Sequence, residues 1–174
     1  TVRYKVFSKP KPCAEPSGEI IKMPMPVPSG AYGIHVERVD EMPKTMDISD
    51  ADAIVAVGRG VKSPADFELA KELALALGAQ LACTRPLVEN GLFDAKHQIG
   101  LSGRTVKPKV IVTLGISGAV QFAAGMKGAD CIIAINSDPA APIFDVAHYG
   151  LIGDLCEILP ALIGRIKEGA AHVS

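Results

Sequence analysis

Glycines, small hydroxyl side chains and two arginines are the residues of this chain whose types and spacing suit chemistry on an anion. The segment from Gly115 to Gly125 (GISGAVQFAAG) follows an apolar run, Val110 to Leu114, and precedes a second, Cys131 to Ile135. The first run reads as a strand ending in a glycine turn, with a small-residue helix predicted to begin at Ser117 or Gly118. Its first amides are then unpaired at the positive end of the helix dipole. Gly115 and Gly118 have no Cβ to hold a phosphate away from them. The pattern points to a bound phosphate or pyrophosphate.

The elements that must position this turn alternate from Asp50 onward. Ala51 to Val57 reads as a strand ending at Gly58, Ala79 to Cys83 as a second, Lys109 to Leu114 as a third and Cys131 to Ile135 as a fourth. Ser63, Pro64 and Asp66 form a helix start: a capping hydroxyl, a proline in the first turn and an acid three residues after the cap. Leu69, Leu73, Ala76 and Leu77 mark a helical stripe, which Gly78 ends. Leu151 to Glu168 reads as a final amphipathic helix, kinked at Pro160. Apolar strands alternating with helices predict an α/β fold: a Rossmann-like parallel sheet with helices on both faces.

The N-terminal part has a different rhythm. Val2, Tyr4 and Val6, and again Tyr32, Ile34 and Val36, recur with period two, and Pro24, Pro26 and Pro28 separate them. Short strands around an extended linker are predicted over residues 1–47, packed on a main domain over residues 48–174.

Ligands of parallel sheets bind at the carboxyl ends of the strands. Gly58, Arg59 and Gly60 follow the first strand, and Thr84, Arg85 and Pro86 the second. Gly115 to Gln121 follows the third, and Asn136, Ser137 and Asp138 the fourth. Gly100, Leu101, Ser102 and Gly103 occupy a loop between the second and third. One sheet edge lined with glycines, hydroxyls, amides and arginines suits a large anionic cofactor.

Gly58, Gly60 and Ser63 resemble a dinucleotide fingerprint whose third glycine is replaced. The acid expected at the end of the second strand is missing, with Cys83, Thr84 and Arg85 there instead. A nicotinamide site with a carboxylate on the ribose is therefore disfavoured. Arg59 and Arg85 also fit solvated or salt-bridged loop positions, and the glycines beside Arg59 favour ligand contact. Ser102 fits a turn, Asn136 a turn start, and Asp154 a helix-start acid.

Composition narrows the function further. Eighteen basic and nineteen acidic residues leave a net charge of −1, which gives no electrostatic footprint for nucleic acid. Apolar runs fall far short of the roughly 20 residues of a membrane helix. Cys13, Cys83, Cys131 and Cys156 contain no Cys-x-x-Cys pair and are expected to be buried free thiols in a reducing compartment. His35, His97, His148 and His172 show no ligand spacing, and nothing forms a catalytic triad or metal centre. The chain opens at Thr1, without methionine or a signal-like segment, as expected of a processed or excised piece.

The residues from Gly115 to Asn136 closely resemble the characteristic segment of the electron transfer flavoprotein alpha subunit. The likeness continues through Asp138 to Phe144, Tyr149, Gly150 and Asp154. Upstream it takes in Gly58 to Ser63, Thr84 and Arg85, and Gly100 to Gly103. It covers about residues 50 to 168, the family's FAD-binding domain, and lacks the larger N-terminal domain.

The resemblance implies FAD, with Arg59 on the phosphate side and Thr84 at the flavin. It implies Arg85 beside the isoalloxazine, favouring its anionic forms. Ile99, Gly100, Leu101 and Ser102 match the loop whose hydroxyl reaches flavin N5. Ser117, Gly118, Ala119, Val120, Gln121 and Phe122 match the turn that meets the ribityl and pyrophosphate groups. Asn136, Asp154 and Leu155 match the adenosine end. Leu101 stands where glutamine is common, Ser102 replaces threonine, and Phe122 stands where histidine is usual, near the flavin's pyrimidine carbonyl.

The implied function is electron transport between a flavin-dependent dehydrogenase, such as acyl-CoA dehydrogenase, and a downstream acceptor. The implied partner is the electron transfer flavoprotein beta subunit, in the cytoplasm or, in a eukaryote, the mitochondrial matrix. The alternatives are a nicotinamide- or thiamine-type cofactor domain of a larger enzyme, and a structural module without a redox role.

Overall fold

The computed structural model describes residues 18–24, 37–39 and 47–171. The chain forms two compact units, Thr1–Lys44 and Thr45–Ser174. In the first, the described residues adopt no regular secondary structure and are exposed. The strands predicted around residues 2–6 and 32–36 lie outside the described residues.

The second unit is built on five strands: β1 (Ala53–Val57), β2 (Gln80–Cys83), β3 (Val110–Leu114), β4 (Cys131–Asn136) and β5 (Tyr149–Ile152). Every neighbouring pair is parallel, in the order β2-β1-β3-β4-β5. The chain steps outward from β1 to β2 and then returns to the other side of β1 as β3. Such a reversal opens a crevice at the carboxyl ends of the two strands between which it occurs. Register keeps those ends level, with Val57 beside Cys83 and Leu114, and Leu114 beside Ile135.

Ile54, Val55, Ala56 and Val57 are fully buried, as a strand covered on both faces requires. On one face α1 (Pro64–Ala76) and α4 (Leu155–Ala171) cover Val55, Val57, Val112, Leu114 and Ile135. On the other, α3 (Val120–Met126), short 3-10 turns and a long loop cover Ile54, Ala56, Ile111, Ile132 and Ala134. A short helix, α2 (Arg85–Glu89), follows β2.

Helix α1 starts as its sequence dictates. The Ser63 hydroxyl accepts from the Asp66 N–H while the Asp66 carboxylate accepts from the Ser63 N–H. Ala70, Leu73 and Ala74 form its buried stripe, with Leu69, Ala76 and Leu77 partly buried beside it. The Cys156 thiol at the head of α4 donates to Asp66 at 3.0 Å. That bond, together with the Ser63 and Lys62 amides, lowers the Asp66 carboxyl from 3.8 to about 2.

Four elements depart from expectation. Residues 149–152 form the edge strand β5, so the last helix begins at Leu155 rather than Leu151. β5 is short and its residues are exposed, so it carries neither alternation nor a buried apolar run. Helix α3 begins at Val120, because Gly118 has φ +93° and stands outside helical geometry. Arg85 and Pro86 open α2 rather than a loop. Pro160 lies inside helix α4, as expected.

Of the thiols, Cys83 is buried as expected, and desolvation pushes it up to about 12. Cys131 is half-buried and Cys156 exposed, contrary to expectation. Cys13 lies outside the described residues. Among those residues, no helix is long and apolar enough to cross a membrane.

Candidate functional site

A cleft of about 620 Å³ opens where the strand order reverses, and the turns that follow β1 and β3 form its floor. The Gly58 N–H donates to the Leu114 carbonyl and the Gly60 N–H to the Gly115 carbonyl, both at 2.9 Å. A Cβ on Gly115, whose φ is +58°, would stand 2.6 Å from the Gly60 Cα. The glycines therefore let two backbone turns touch at the crevice. Gly118 has a similar role, since a Cβ there would run into the backbone of Ile143 in the 3-10 turn Pro142–Asp145. Close approach between backbones is what Gly115 and Gly118 supply here.

Past Gly115 the chain leaves successive amides without a backbone partner. Among the described residues, the N–H groups of Ser117, Gly118 and Ala119 donate no hydrogen bond. Asn136 holds this turn from the end of β4, donating from Nδ2 to the Ile116 carbonyl at 2.9 Å. Its Oδ1 accepts from the Asp138 N–H at 3.0 Å, so the expected turn start is also present.

Three cationic side chains and one carboxylate line the cleft: Arg59, Lys62 and Arg85 against Asp138. Arg59 and Lys62 are exposed and form no ion pair with any described residue. Arg85 donates from Nε to Glu89 one turn along α2, at 2.8 Å, which leaves its terminal nitrogens available. The lining is net cationic, as a site for a diphosphate should be.

The remaining wall is the loop from Gln98 to Arg104. It runs beside β2, where the Ile99 N–H donates to the Cys83 carbonyl at 3.0 Å. The Leu101 N–H donates to the Gln121 carbonyl at 3.0 Å, which ties the loop to α3. Phe122 packs into the core at 5% exposure while also lining the cleft.

Residues 47–127 match the family model described as the electron transfer flavoprotein FAD-binding domain. The chain is 56% identical, over 96% of its length, to lactate dehydrogenase (NAD(+),ferredoxin) subunit LctC of Acetobacterium woodii. It is 44% identical over 96% of its length to Protein FixB of Azotobacter vinelandii. It is 43% identical over 97% of its length to electron transfer flavoprotein subunit alpha of Megasphaera elsdenii. The chain belongs to the electron transfer flavoprotein alpha family. It covers 40%, 47% and 51% of those three relatives, respectively.

The residues that the family resemblance singles out fall into two groups. Arg59, Thr84, Arg85, Ile99, Gly100, Leu101, Ser102, Ser117, Ala119, Gln121, Phe122 and Asn136 line the one cleft. Gly118, Val120, Asp154 and Leu155 do not. Gly118 is buried under Ile143 and Val120 is 78% exposed. Asp154 accepts from the Cys156 N–H at 2.7 Å and so heads α4, while Leu155 is buried in the core under that helix. Both follow the end of β5, where Ile152 pairs with Asn136.

Lys62 and Gln98 line the cleft without having been singled out as contacts. Lys62 was legible, since it stands two residues after Gly60 in the first turn. Gln98 left no signal, because nothing in its neighbours shows that its side chain turns inward.

Proposed function

We propose that this chain holds FAD in the cleft between the β1 and β3 turns and serves as the flavin-bearing part of an electron carrier. The observation that carries this reading is the lining itself. Unpaired amides and three cations meet at a strand-order reversal, in a cleft within the roughly 300–1,000 Å³ of ligand pockets. Arg59 and Lys62 serve the diphosphate, with the amides of Ser117 and Ala119 beside them. Thr84, Arg85 and Ser102 attend the flavin ring. Asn136 secures the adenosine end, with Asp154 and Leu155 beyond it.

Bound FAD supplies redox chemistry, to which the protein contributes orientation and electrostatics. Arg85 stabilises negative charge on the ring, because a cation in a partly desolvated cleft interacts appreciably. Phe122 excludes water from one side and offers no donor where relatives of this family usually have histidine. The partners proposed are the electron transfer flavoprotein beta subunit and a flavin-dependent dehydrogenase such as acyl-CoA dehydrogenase. The kinship with a subunit of a lactate dehydrogenase that uses NAD(+) and ferredoxin makes those two carriers the first to assay.

The test is a titration of the purified chain with FAD, NAD and thiamine diphosphate, followed by absorbance and calorimetry. Saturable one-to-one binding of FAD, undiminished by the other two, is expected. Preferential binding of NAD or thiamine diphosphate would contradict the reading.

A further inference from the structure

Gln98 is 7% exposed, lines the cleft and donates from Nε2 to the Ser102 hydroxyl oxygen at 3.0 Å. The loop between them is closed on itself. The Arg104 N–H donates to the Gln98 carbonyl at 2.7 Å, and Gly100 and Arg104 are joined by a 3.1 Å bond. Gly103 carries no Cβ, which would collide with the Gln98 carbonyl and crowd its side chain. Leu101 is held to Gln121 on the other side. Ser102 therefore sits at the tip of a pinned loop, with one lone pair already taken.

A hydroxyl that accepts from an amide N–H directs its own proton elsewhere. We propose that Gln98 is a positioning residue that makes Ser102 a hydrogen-bond donor into the cleft. The ligand must then offer an unprotonated acceptor at that point. The proposal rests on the FAD reading, together with the family resemblance that implies ring nitrogen N5 as the acceptor. Gln98 so favours the ring while that nitrogen is unprotonated, and opposes the ring once it carries hydrogen there.

Two measurements on the 174-residue chain test this. The first compares dissociation constants for FAD and 5-deaza-FAD, in which N5 is replaced by C–H. Wild type should prefer FAD, relative to the preference of Ser102→Ala, by about three- to tenfold, the worth of one hydrogen bond. Gln98→Leu, which frees the hydroxyl, should lose most of that preference. Gln98→Glu, which can only accept the Ser102 proton, should lose it too. The second follows the Gln98 side-chain amide by nuclear magnetic resonance in the flavin-free chain, where Ser102→Ala should shift it. An unmoved amide, or an unaltered preference in both Gln98 variants, overturns the proposal. A wild-type chain that binds neither flavin instead overturns the functional reading beneath it.

Discussion

Under α1 and α4 the sheet is covered by side chains at helical spacing, Leu73 and Ala74 from one helix and Leu159 and Ile163 from the other. Across the sheet, Ile99, Ile116, Phe122 and Met126 also cover the strands with side chains, but at the glycine turns beside them backbone packs on backbone. Gly60 lies against Gly115, Gly118 against Ile143, and Gly125 against Gly100. The first arrangement tolerates any apolar group of suitable volume, because side chains can repack. The second tolerates almost nothing, because peptide units cannot give way. The cleft lies at those turns, where backbone meets backbone and three successive amides have no partner among the described residues.

The sharpest way to break this contrast is a single methyl group. Gly115→Ala must adopt φ near +58° with its Cβ against the Gly60 backbone, and should cost about 3 kcal/mol or more. Denaturant unfolding measures it. A loss under 1 kcal/mol would show that the turns have slack. A Gly118→Val change would likewise run into the Ile143 backbone, so weakened FAD binding in such a variant would report damage to the fold rather than phosphate contact.

Affinity should change without stability at Arg59. This exposed arginine contacts no described acid, so Arg59→Ala should leave the melting temperature in place. It should weaken FAD by roughly tenfold, as for a lost hydrogen bond to a charged group. Unchanged affinity would remove Arg59 from the site.

The same methyl addition on the opposite face should have the opposite sign. Gly164 lies within α4 with nothing within 4 Å of an added Cβ. Gly164→Ala should therefore stabilise by about 0.5–1 kcal/mol through helix propensity. A destabilised variant would show that this face is as intolerant as the other.

The unequal means of construction explain what could be read in advance. Ser63, Pro64 and Asp66 announce α1 because capping is a local act, and the runs ending at Val57 and Leu114 announce strands because both faces are buried. Tyr149 to Ile152 gave no such signal, since an exposed edge strand is defined by its partner β4. Gly115 and Gly118 were recognisable as a turn at the right place, yet their reason for being glycine lies in residues distant in sequence, Gly60 and Ile143. Arg59, Thr84 and Ser102 were legible as groups beyond strand ends. The inward turn of Gln98 was not, because a loop closure from residue 98 to residue 104 sets it.

A smaller effect concerns the join between α1 and α4. Asp66 is held near 2, below its ordinary 3.8, so its contribution is present above pH 3.8 and lost as pH falls through about 2. Asp66→Asn should lower the melting temperature at pH 7, and the difference should shrink as the pH is taken from 4 towards 2. A difference independent of pH would assign the loss to packing. The Asp66 hydrogen bond also raises the Cys156 thiol to about 11, so this exposed group should alkylate slowly at pH 8 and faster in Asp66→Asn.

The most direct measurement of where the cofactor sits is a proton–nitrogen shift map of the labelled chain titrated with FAD. Saturable shifts should gather at residues 58–62, 84–86, 98–102 and 115–122, all at the carboxyl ends of the strands. Shifts gathered at the opposite edge, around residues 78–80 and 128–131, or no saturable shift at all, would contradict the account.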